Sequence, residues 1–283
     1  MINPFKLTGP TCLSFSGGRT SAYMLFLVLA NNTVEDIARW LIVLFENTGK
    51  EDEATLRFVR DCSTRWGVLV IWLEYRLGSE FEIVNFETAS RNGEPFDAVI
   101  QQRGYILPNV RSAYCSSELK VRTGHRYLRS IGWTEWDTLM GIRADECVRV
   151  SKFRKNTSPE TPAEEVHMPL AMAGITKWDV KAFWEAQPFD LDLVNVNGET
   201  PEGNCDLCFK KKGARVMSLV RQKPVRAVWW AKQEKRSEQY ATGDGARFRN
   251  NRPSYGSMYD FALNQSDIDF DQNEEAIACF CGD

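Results

Sequence analysis

The feature that most constrains the fold is a glycine-containing turn close to the start of the chain. An apolar stretch from Thr11 to Phe15 leads into Ser16-Gly17-Gly18-Arg19-Thr20-Ser21, and a second apolar stretch, residues 22–30, follows it. This order predicts a strand, a tight turn and a helix. The backbone N–H groups of such a turn point into one concavity beside the positive end of the helix dipole, which suits a phosphate or a sulfate.

The residues of the turn offer different contacts to an anion. Gly17 and Gly18 permit positive φ and close approach of a ligand, and the neighbouring hydroxyl groups add donors. The predicted anion contacts are Ser14, Ser16, Gly17, Gly18, Arg19, Thr20 and Ser21. A Walker A loop is excluded because no Gly-Lys-Ser/Thr follows at its spacing. Taken alone, the turn is equally compatible with a strand-to-helix connection that binds nothing.

The first half of the chain has the pattern of an α/β fold. Apolar positions at helical spacing separate short strand-like runs, and the runs are 11–16, 40–45, 68–73 and 138–142. This alternation predicts a doubly wound, mostly parallel sheet with helices on both faces. Ligands of such sheets gather at the carboxyl ends of the strands, where the glycine turn, residues 46–49 and residues 143–146 all lie.

A length of 283 residues fits one large or two modest domains. We place an α/β domain at 1–190 and a helical, cysteine-bearing C-terminal region at 191–283. Residues 81–86 are compatible with either a strand or a helix, and the polar stretch 151–165 predicts an exposed loop. From Cys205 to Tyr240 the pattern is helical and is broken at Pro224.

Composition limits the class of protein. The chain is 43% hydrophobic and 26% charged, as ordinary globular proteins are, so disorder over most of the length is not expected. The longest apolar run, residues 22–30, is too short to span a bilayer, and the N-terminus has no signal-peptide pattern. We therefore expect a cytoplasmic protein with no membrane contact. Eight cysteines in a reducing compartment indicate a metal, a cluster or redox chemistry rather than disulfides.

The charge of the chain is unevenly distributed. The net charge is −3, but residues 210–252 hold thirteen Lys/Arg against three Asp/Glu, a local charge of +10. This asymmetry, together with Trp229, Trp230 and Tyr240, predicts a polyanion such as a nucleic acid as a partner of the segment. An equally compatible interpretation is a solvated helical face whose aromatic residues belong to the core.

The cysteines form a constellation with metal-ligand spacing. Cys205 and Cys208 make a C-x-x-C at the start of a predicted helix, whose N-terminus would lower the pKa of both thiols, and Cys115 lies upstream. Cys279 and Cys281 close the chain. Such a set suits a [4Fe–4S] cluster and zinc equally well. A redox dithiol needs only the C-x-x-C, and we expect three further cysteines to be buried structural thiols: Cys12, Cys62 and Cys147.

Several segments together resemble the phosphoadenosine-phosphosulfate (PAPS) reductase-like family of PP-loop proteins. The glycine turn resembles the S-G-G-x-[DT]-S loop of that family, and Phe45 to Val59 resembles its F-x-[DN]-T-G-x-x-x-x-E-T-x-x-F segment. Gly141 to Glu146 resembles its G-[IV]-R-x-x-E element, and Cys115 to Lys120 resembles the C-C-x-x-x-K segment of the cluster-containing branch. The second cysteine of that pair is Ser116 here, and the C-terminal E-C-G-[IL]-H of the reductases is incomplete around Cys281.

The resemblance implies a fold of the PP-loop type and an adenine nucleotide, either ATP or a sulfonucleotide (PAPS or adenosine phosphosulfate), held between the glycine turn and Asn47-Thr48-Gly49. It also implies phosphate or sulfate contacts from Lys120 and from the element with Gly141 and Arg143. It favours a [4Fe–4S] cluster, with the ligand set Cys115, Cys205, Cys208 and Cys281. In a reductase the attacking thiolate would be Cys279 or Cys281.

The expected activity is therefore sulfur transfer or sulfonucleotide reduction by an iron–sulfur enzyme. The alternatives are ATP-dependent thiolation of a tRNA or a DNA, a non-catalytic sensor that binds nucleotide and cluster, and a zinc-stabilised nucleic-acid-binding module. We also expect Mg²⁺ with the nucleotide, a dithiol as donor of electrons or sulfur, and a homodimer.

Overall fold

The computed structural model of the protein describes residues 3–154, 164–241 and 243–264. Its centre is a six-stranded sheet with the order β4-β3-β2-β1-β5-β6, parallel except for the pair β3–β4. The strands are β1 (Thr11–Ser14), β2 (Leu41–Glu46), β3 (Val70–Glu74), β4 (Glu82–Val84), β5 (Trp136–Met140) and β6 (Glu164–His167). The predicted α/β fold with a mostly parallel sheet is confirmed, and the ambiguous segment 81–86 contains the edge strand β4.

Helices connect the strands and build the C-terminal region. They are α1 (Arg19–Ala30), α2 (Val34–Trp40), α3 (Glu53–Trp66), α4 (Glu94–Gln102), α5 (Tyr114–Ser116), α6 (Thr123–Ser130), α7 (Cys147–Arg154), α8 (Pro169–Met172), α9 (Lys177–Glu185), α10 (Gly213–Gln222), α11 (Arg226–Ser237) and α12 (Tyr255–Asn264). A π-helical turn, Ser117–Arg122, joins α5 to α6. Within the described ranges, no helix has both the length and the apolar character that a bilayer crossing needs.

Two expectations about the ends of helices are wrong. The predicted loop 151–165 is wrong at both ends, because residues 151–154 continue α7 and residues 164–165 pair with β5 as the start of β6. Residues 155–163 of this prediction lie outside the described residues. Residues 205–212 are not helical, and α10 begins only at Gly213. The backbone of this segment pairs with the chain that follows β2: Cys205 forms a bridge with Glu51, and the Asp206 N–H donates to the Lys50 carbonyl at 2.7 Å.

Alternate residues of the central strands face two different environments, as the pleat of a strand requires. Residues on one face join α1, α3 and α9 in the main apolar core, among them Leu13, Phe15, Val43, Phe45 and Leu139. Residues on the other face line a cavity, among them Ser14, Leu44, Glu46, Thr138 and Met140. The sheet therefore uses one face for packing and leaves the other face partly polar.

The C-terminal helices share a core with earlier parts of the chain. One apolar cluster combines Phe96 of α4, Cys115 and Leu119 with Trp230 of α11 and Tyr255 of α12. This cluster crosses the boundary that we place at residue 190. The C-terminal region is thus packed against the α/β part through buried side chains from both.

We expect Gly17→Ala to destabilise the protein by about 2–4 kcal/mol. Gly17 has φ +76°, and a Cβ at this position would lie 2.6 Å from Cγ2 of Thr55 and 3.0 Å from Cγ2 of Val59. Urea denaturation of the two proteins measures the difference. Gly9→Ala is the matched control, because a Cβ there meets no atom within 4 Å; an equal loss in both variants would contradict the assigned turn geometry.

Candidate functional site

A cavity of about 880 Å³ lies on the polar face of the sheet, beneath the helical stretch that runs from α5 to α6. It opens at the carboxyl ends of β1, β2 and β5, which is the crevice where ligands of open α/β sheets bind. Five of the predicted site residues line it: Ser14, Ser16, Ser21, Lys120 and Gly141. The structure thus brings the glycine turn, the segment around Lys120 and the element after β5 to one place.

The glycine turn has the geometry of an anion site. Gly18 is the N-cap of α1, a helix of twelve residues, and its N-terminus has no side-chain cap. The hydroxyl groups of Ser16 and Ser21 lie 2.9 Å apart at the cavity wall. Gly17 adopts φ +76° as expected, but Gly18 has φ −98°, so positive φ is needed at one of the two glycines and not at both.

The side chain of Arg19 does not face the cavity. Its guanidinium is buried and donates to both carboxylate oxygens of Asp190, to the hydroxyl of Thr200 and to the carbonyls of Leu191 and Leu193. All of these acceptors lie more than 170 positions away along the chain. Arg19 therefore anchors α1 to the segment after α9, and only its backbone N–H is left for an anion.

Thr20 and Arg143 contact each other instead of lining the cavity. Nη1 of Arg143 donates to Oγ1 of Thr20 at 3.0 Å, and its Nε donates to Asp145 at 3.1 Å. Arg143 is only 5% exposed. The pair therefore fixes the loop after β5 against the start of α1, and its contribution to an anion site is the position of the turn.

The Asn47–Gly49 turn is committed to contacts within the protein. The amide of Asn47 donates to Oε1 of Glu74 at 2.6 Å and to the carbonyl of Ser90 at 2.9 Å. The hydroxyl of Thr48 donates to Oε2 of Glu51 at 2.8 Å and lies 3.4 Å from Sγ of Cys205. These residues do not line the cavity; they join the end of β2 to the loop with the C-x-x-C.

The cavity wall is strongly basic. Six cationic side chains line it, namely Lys120, Arg122, Arg126, Arg129, Arg149 and Lys210, against two carboxylates, Glu46 and Glu164. Nε and Nη2 of Arg149 and Nη1 of Arg126 are buried without a hydrogen-bond acceptor among the described residues. Other nitrogens of these arginines pair with carboxylates, Arg126 with Glu80 and Arg149 with Glu146. Buried donors without partners are rare in folded proteins, and those left here suit an anion in the cavity.

Of these cations, the sequence identified Lys120 as an anion contact and missed the role of the others. Arg122, Arg126 and Arg129 are spaced by four and three residues, so they lie on one face of the helical stretch that contains Lys120. That periodicity is a signal in the sequence. Arg149 lies on α7, and its place at the cavity depends on how this helix packs.

Glu46, the last residue of β2, is the most buried carboxylate of the cavity wall. It is 8% exposed, and burial raises its pKa from an ordinary value of 4.5 to about 7, although Lys120 and His125 act in the opposite direction. Gly124 of α6 lies directly above it, and a Cβ there would be 3.0 Å from Oε1 of Glu46. Glycine at 124 therefore leaves the space that this carboxylate occupies.

The second carboxylate of the wall is already hydrogen-bonded. Oε1 of Glu164 accepts a hydrogen bond from Thr138 at 2.6 Å, and its Oε2 lies 3.1 Å from Nε2 of His125. Burial is the largest single influence on the pKa of Glu164 and raises it. The hydrogen bonds from His125 and Thr138 and the charge interaction with His125 together outweigh burial, so the pKa is lowered. Glu164 thus differs from Glu46 in having its partners within the protein.

Cys115, Cys205 and Cys208 form no disulfide with one another and lie in one region of the molecule. Cys115 and Cys205 belong to the same apolar cluster, and Nζ of Lys210 reaches Oγ of Ser116 at 3.3 Å, which ties the two cysteine segments together. Their sulfur atoms do not form a compact set with all separations within 4.8 Å in the described chain. A tetrahedral zinc site needs such a set, whereas the thiolates of a four-iron cluster bind different irons and lie farther apart.

The electrostatic expectation for the C-x-x-C is wrong. Burial holds the pKa of Cys205 well above its ordinary value of 9.0, and the Glu51 carboxylate adds to the rise. The reason is that α10 begins five residues after Cys208, so its N-terminus does not stabilise a thiolate there. Binding of a metal or a cluster would have to supply the energy of deprotonation.

The remaining cysteines divide into three groups. Cys12 and Cys62 are buried, as expected, but Cys147 is exposed at the start of α7, so its assignment as a buried thiol is wrong. Cys279 and Cys281, expected as nucleophile and as fourth ligand, lie outside the described residues.

Part of the basic segment 210–252 is committed to contacts within the protein, and the nucleic-acid partner stays a prediction. Arg226 pairs with Asp52 and Glu202, and Arg236 pairs with Asp97. Several other cations of the segment bond to backbone or are buried, among them Lys210, Lys211, Arg249 and Arg252. Trp230 is fully buried and Trp229 packs against Phe96, so the interpretation as core aromatics fits both tryptophans.

A further group of metal-ligand type lies away from the cavity. Asp137, Glu165 and His167 place their ligand atoms within 4.8 Å of one another, the one such group among residues that the structure describes. Asp137 neighbours Thr138 in β5, so it faces the opposite side of the sheet from the cavity. The group is partly solvent-exposed, and a histidine between two carboxylates accounts for it without an ion.

Comparison with known proteins finds a similar phage protein. No family model matches the chain. The chain is similar to the uncharacterized nin region protein ORF290 of Escherichia phage lambda, with 29% identity over 216 residues that cover 72% of this chain and 67% of that protein. The name of this relative states no activity, so the chemistry of the cavity rests on its own residues.

We expect Glu46→Gln to stabilise the protein more at pH 8 than at pH 5. The folded-state pKa of Glu46 is raised to about 7. The contribution of the protonated side chain to the free energy of unfolding is therefore complete below pH 4.5 and is lost as the pH rises through 7. The advantage of the glutamine variant should grow over this interval by roughly 3 kcal/mol at most. Urea denaturation of both proteins at several pH values measures it, and a constant difference would contradict the raised pKa.

Proposed function

We propose that the protein is a PP-loop enzyme of the PAPS reductase-like type. In this proposal it binds an adenine nucleotide in the cavity and carries out sulfur transfer or sulfonucleotide reduction with the help of a thiolate-bound iron–sulfur cluster. The observation that carries the proposal is the position of the uncapped glycine turn. Ser16 and Ser21 of this turn line the cavity together with six cations, two of which keep buried donors without acceptors among the described residues.

The contacts of the glycine turn support a phosphate or sulfate as the group bound there. Helix α1 directs its N-terminal N–H groups toward the turn, Ser16 and Ser21 add hydroxyl groups, and Lys120 and Arg149 add charge at the wall. Arg143 and Thr20 keep the turn in place through their mutual hydrogen bond. These contacts favour an oxyanion as the bound group. That the ligand also carries an adenine base is proposed from the resemblance of the motifs.

The cysteine region supports a sulfur-related activity beside this cavity. Lys210 lines the cavity and also reaches Ser116, which directly follows Cys115. Cys115, Cys205 and Cys208 would hold the cluster, and a thiolate donor set is what iron–sulfur clusters require. A bound cluster would supply electrons or a site for sulfur. The fourth ligand and the attacking thiol are proposed among Cys279 and Cys281, outside the described residues.

We expect Gly18→Val to abolish binding of ATP and of sulfonucleotides. The residue is the N-cap of α1, and a branched side chain there would stand between the helix N-terminus and the phosphate. Isothermal titration calorimetry with each nucleotide measures the effect. Gly9→Val, at a position with open space, is the control. Retained affinity in the Gly18 variant would contradict the assignment of the turn.

We expect Cys205→Ser and Cys208→Ser to lose iron and the brown visible absorption of anaerobically purified protein, and to lower its stability. The exposed Cys147 provides a matched control, and Cys147→Ser should keep the iron content of the wild type. Iron analysis and absorption spectra measure both. Unchanged iron in the two C-x-x-C variants would refute the cluster, and zinc in place of iron would favour the alternative metal.

Turnover separates the enzymatic proposal from a sensor. One assay supplies ATP and a sulfur donor, and the other supplies a sulfonucleotide and a dithiol. Product in either assay supports an enzyme, and bound nucleotide without product in both would favour the non-catalytic alternative.

A further inference from the structure

One carboxylate in the cavity has no side-chain partner in the described chain. Glu46 is 8% exposed and lines the cavity, and it accepts no hydrogen bond from any side chain that the structure describes. Its own backbone N–H donates to this carboxylate, but a carboxylate accepts several hydrogen bonds, and burying unused acceptor capacity is unfavourable. Gly124 nevertheless leaves space for this carboxylate, since a Cβ at that position would lie 3.0 Å from its Oε1. The position is therefore built to present an acceptor to something inside the cavity.

The place of Glu46 relative to the glycine turn limits what that ligand group is. Ser14 of β1 pairs with Leu44 of β2, and Glu46 lies two residues farther along β2 on the same face. With ordinary strand spacing and rise, the Cα atoms of Ser14 and Glu46 are roughly 8 Å apart. A ligand group that is attached to a phosphate at the turn and extends from β1 toward β2 would reach Glu46. In a nucleotide the group next to the 5′-phosphate is the ribose.

We infer that Glu46 accepts hydrogen bonds from the 2′- and 3′-hydroxyl groups of the bound nucleotide and thereby selects nucleotides with an unsubstituted ribose. The inference rests on the proposed function, because it takes the 5′-phosphate to lie at the glycine turn. An acidic residue after the second strand of other βαβ nucleotide-binding folds recognises ribose hydroxyls in the same way. ATP and adenosine 5′-phosphosulfate have the free diol, whereas PAPS carries a 3′-phosphate.

The negative charge of Glu46 itself opposes a 3′-phosphate at the ribose position, although the rest of the cavity wall is basic. A phosphate in place of the hydroxyl would bring a second anion against a carboxylate shielded from water. Lys120 and His125 are the neighbouring side chains that lower the pKa of Glu46. Nζ of Lys120 lies 3.8 Å from Oε1 of Glu51, and Nε2 of His125 lies 3.1 Å from Oε2 of Glu164. Each of them therefore already lies near a second carboxylate, which shares its charge with Glu46.

The test measures binding of ATP, 2′-deoxy-ATP, 3′-deoxy-ATP, AMP and adenosine 3′,5′-bisphosphate by calorimetry. The proteins are the wild type, Glu46→Gln, Glu46→Ala and the matched cavity variant Glu164→Gln. In the wild type we expect loss of a ribose hydroxyl to weaken binding about tenfold or more, the effect of a hydrogen bond to a charged group. This penalty should fall below about threefold in Glu46→Ala and persist in Glu164→Gln.

The bisphosphate gives the second readout. In the wild type it should bind more weakly than AMP, and Glu46→Gln should reduce or reverse that preference. Circular dichroism and thermal unfolding confirm that each variant is folded. If the wild type binds ATP but the hydroxyl penalty is the same with and without Glu46, the inference is overturned and the proposed function stands. Tighter binding of the bisphosphate than of AMP would also overturn it. If no adenine nucleotide binds to the folded wild type, both proposals fail.

Discussion

The alternation of side chains along β1, β2 and β5 is the constraint on which the rest of the structure depends. One set of alternate residues packs into the main apolar core, and the other set faces the cavity with Ser14, Glu46 and Thr138. In a sheet covered on both faces such polar positions are costly unless something pairs with them. A shift of any of these strands by one residue would exchange the two sets and bury the polar groups in the core.

The polar groups on one face of the sheet lower the stability of the protein without a ligand and provide a binding surface. Arg126 and Arg149 hold buried donor atoms without an acceptor in the described part of the chain. The Glu46 carboxylate is buried with no side-chain donor there, and Gly124 keeps space open above it. Groups of this kind weaken an empty fold and become favourable when a complementary ligand supplies the missing partners. The distribution is asymmetric, because Glu164 in the same cavity is fully hydrogen-bonded.

The segment after β2 gains a different role from the one that its motif indicates. Asn47 holds Glu74 and the Ser90 carbonyl, while Thr48 and Lys50 contact the loop with Cys205 and Asp206. The same few residues thus join the sheet to the cysteine region. Together with the contact from Lys210 to Ser116, they fix the distance between the candidate anion site and the thiols. A sulfur-transfer enzyme would need that distance to be constant.

The sequence by itself determined the elements that depend on neighbouring residues: strands β1, β2, β3 and β5 from their apolar runs, α3 from its helical spacing, and the glycine turn between β1 and α1. Local backbone preferences and side-chain periodicity suffice for these. Only the tertiary structure decided where long side chains point. Arg19 pairs with Asp190, 171 positions away. Glu46, at the variable position of the F-x-[DN]-T-G segment, lies in the cavity beneath Gly124. The tertiary structure also moved the start of α10 beyond the C-x-x-C and buried Trp230 of the basic segment. Such outcomes depend on contacts between distant segments, and spacing along the chain does not record which segments meet.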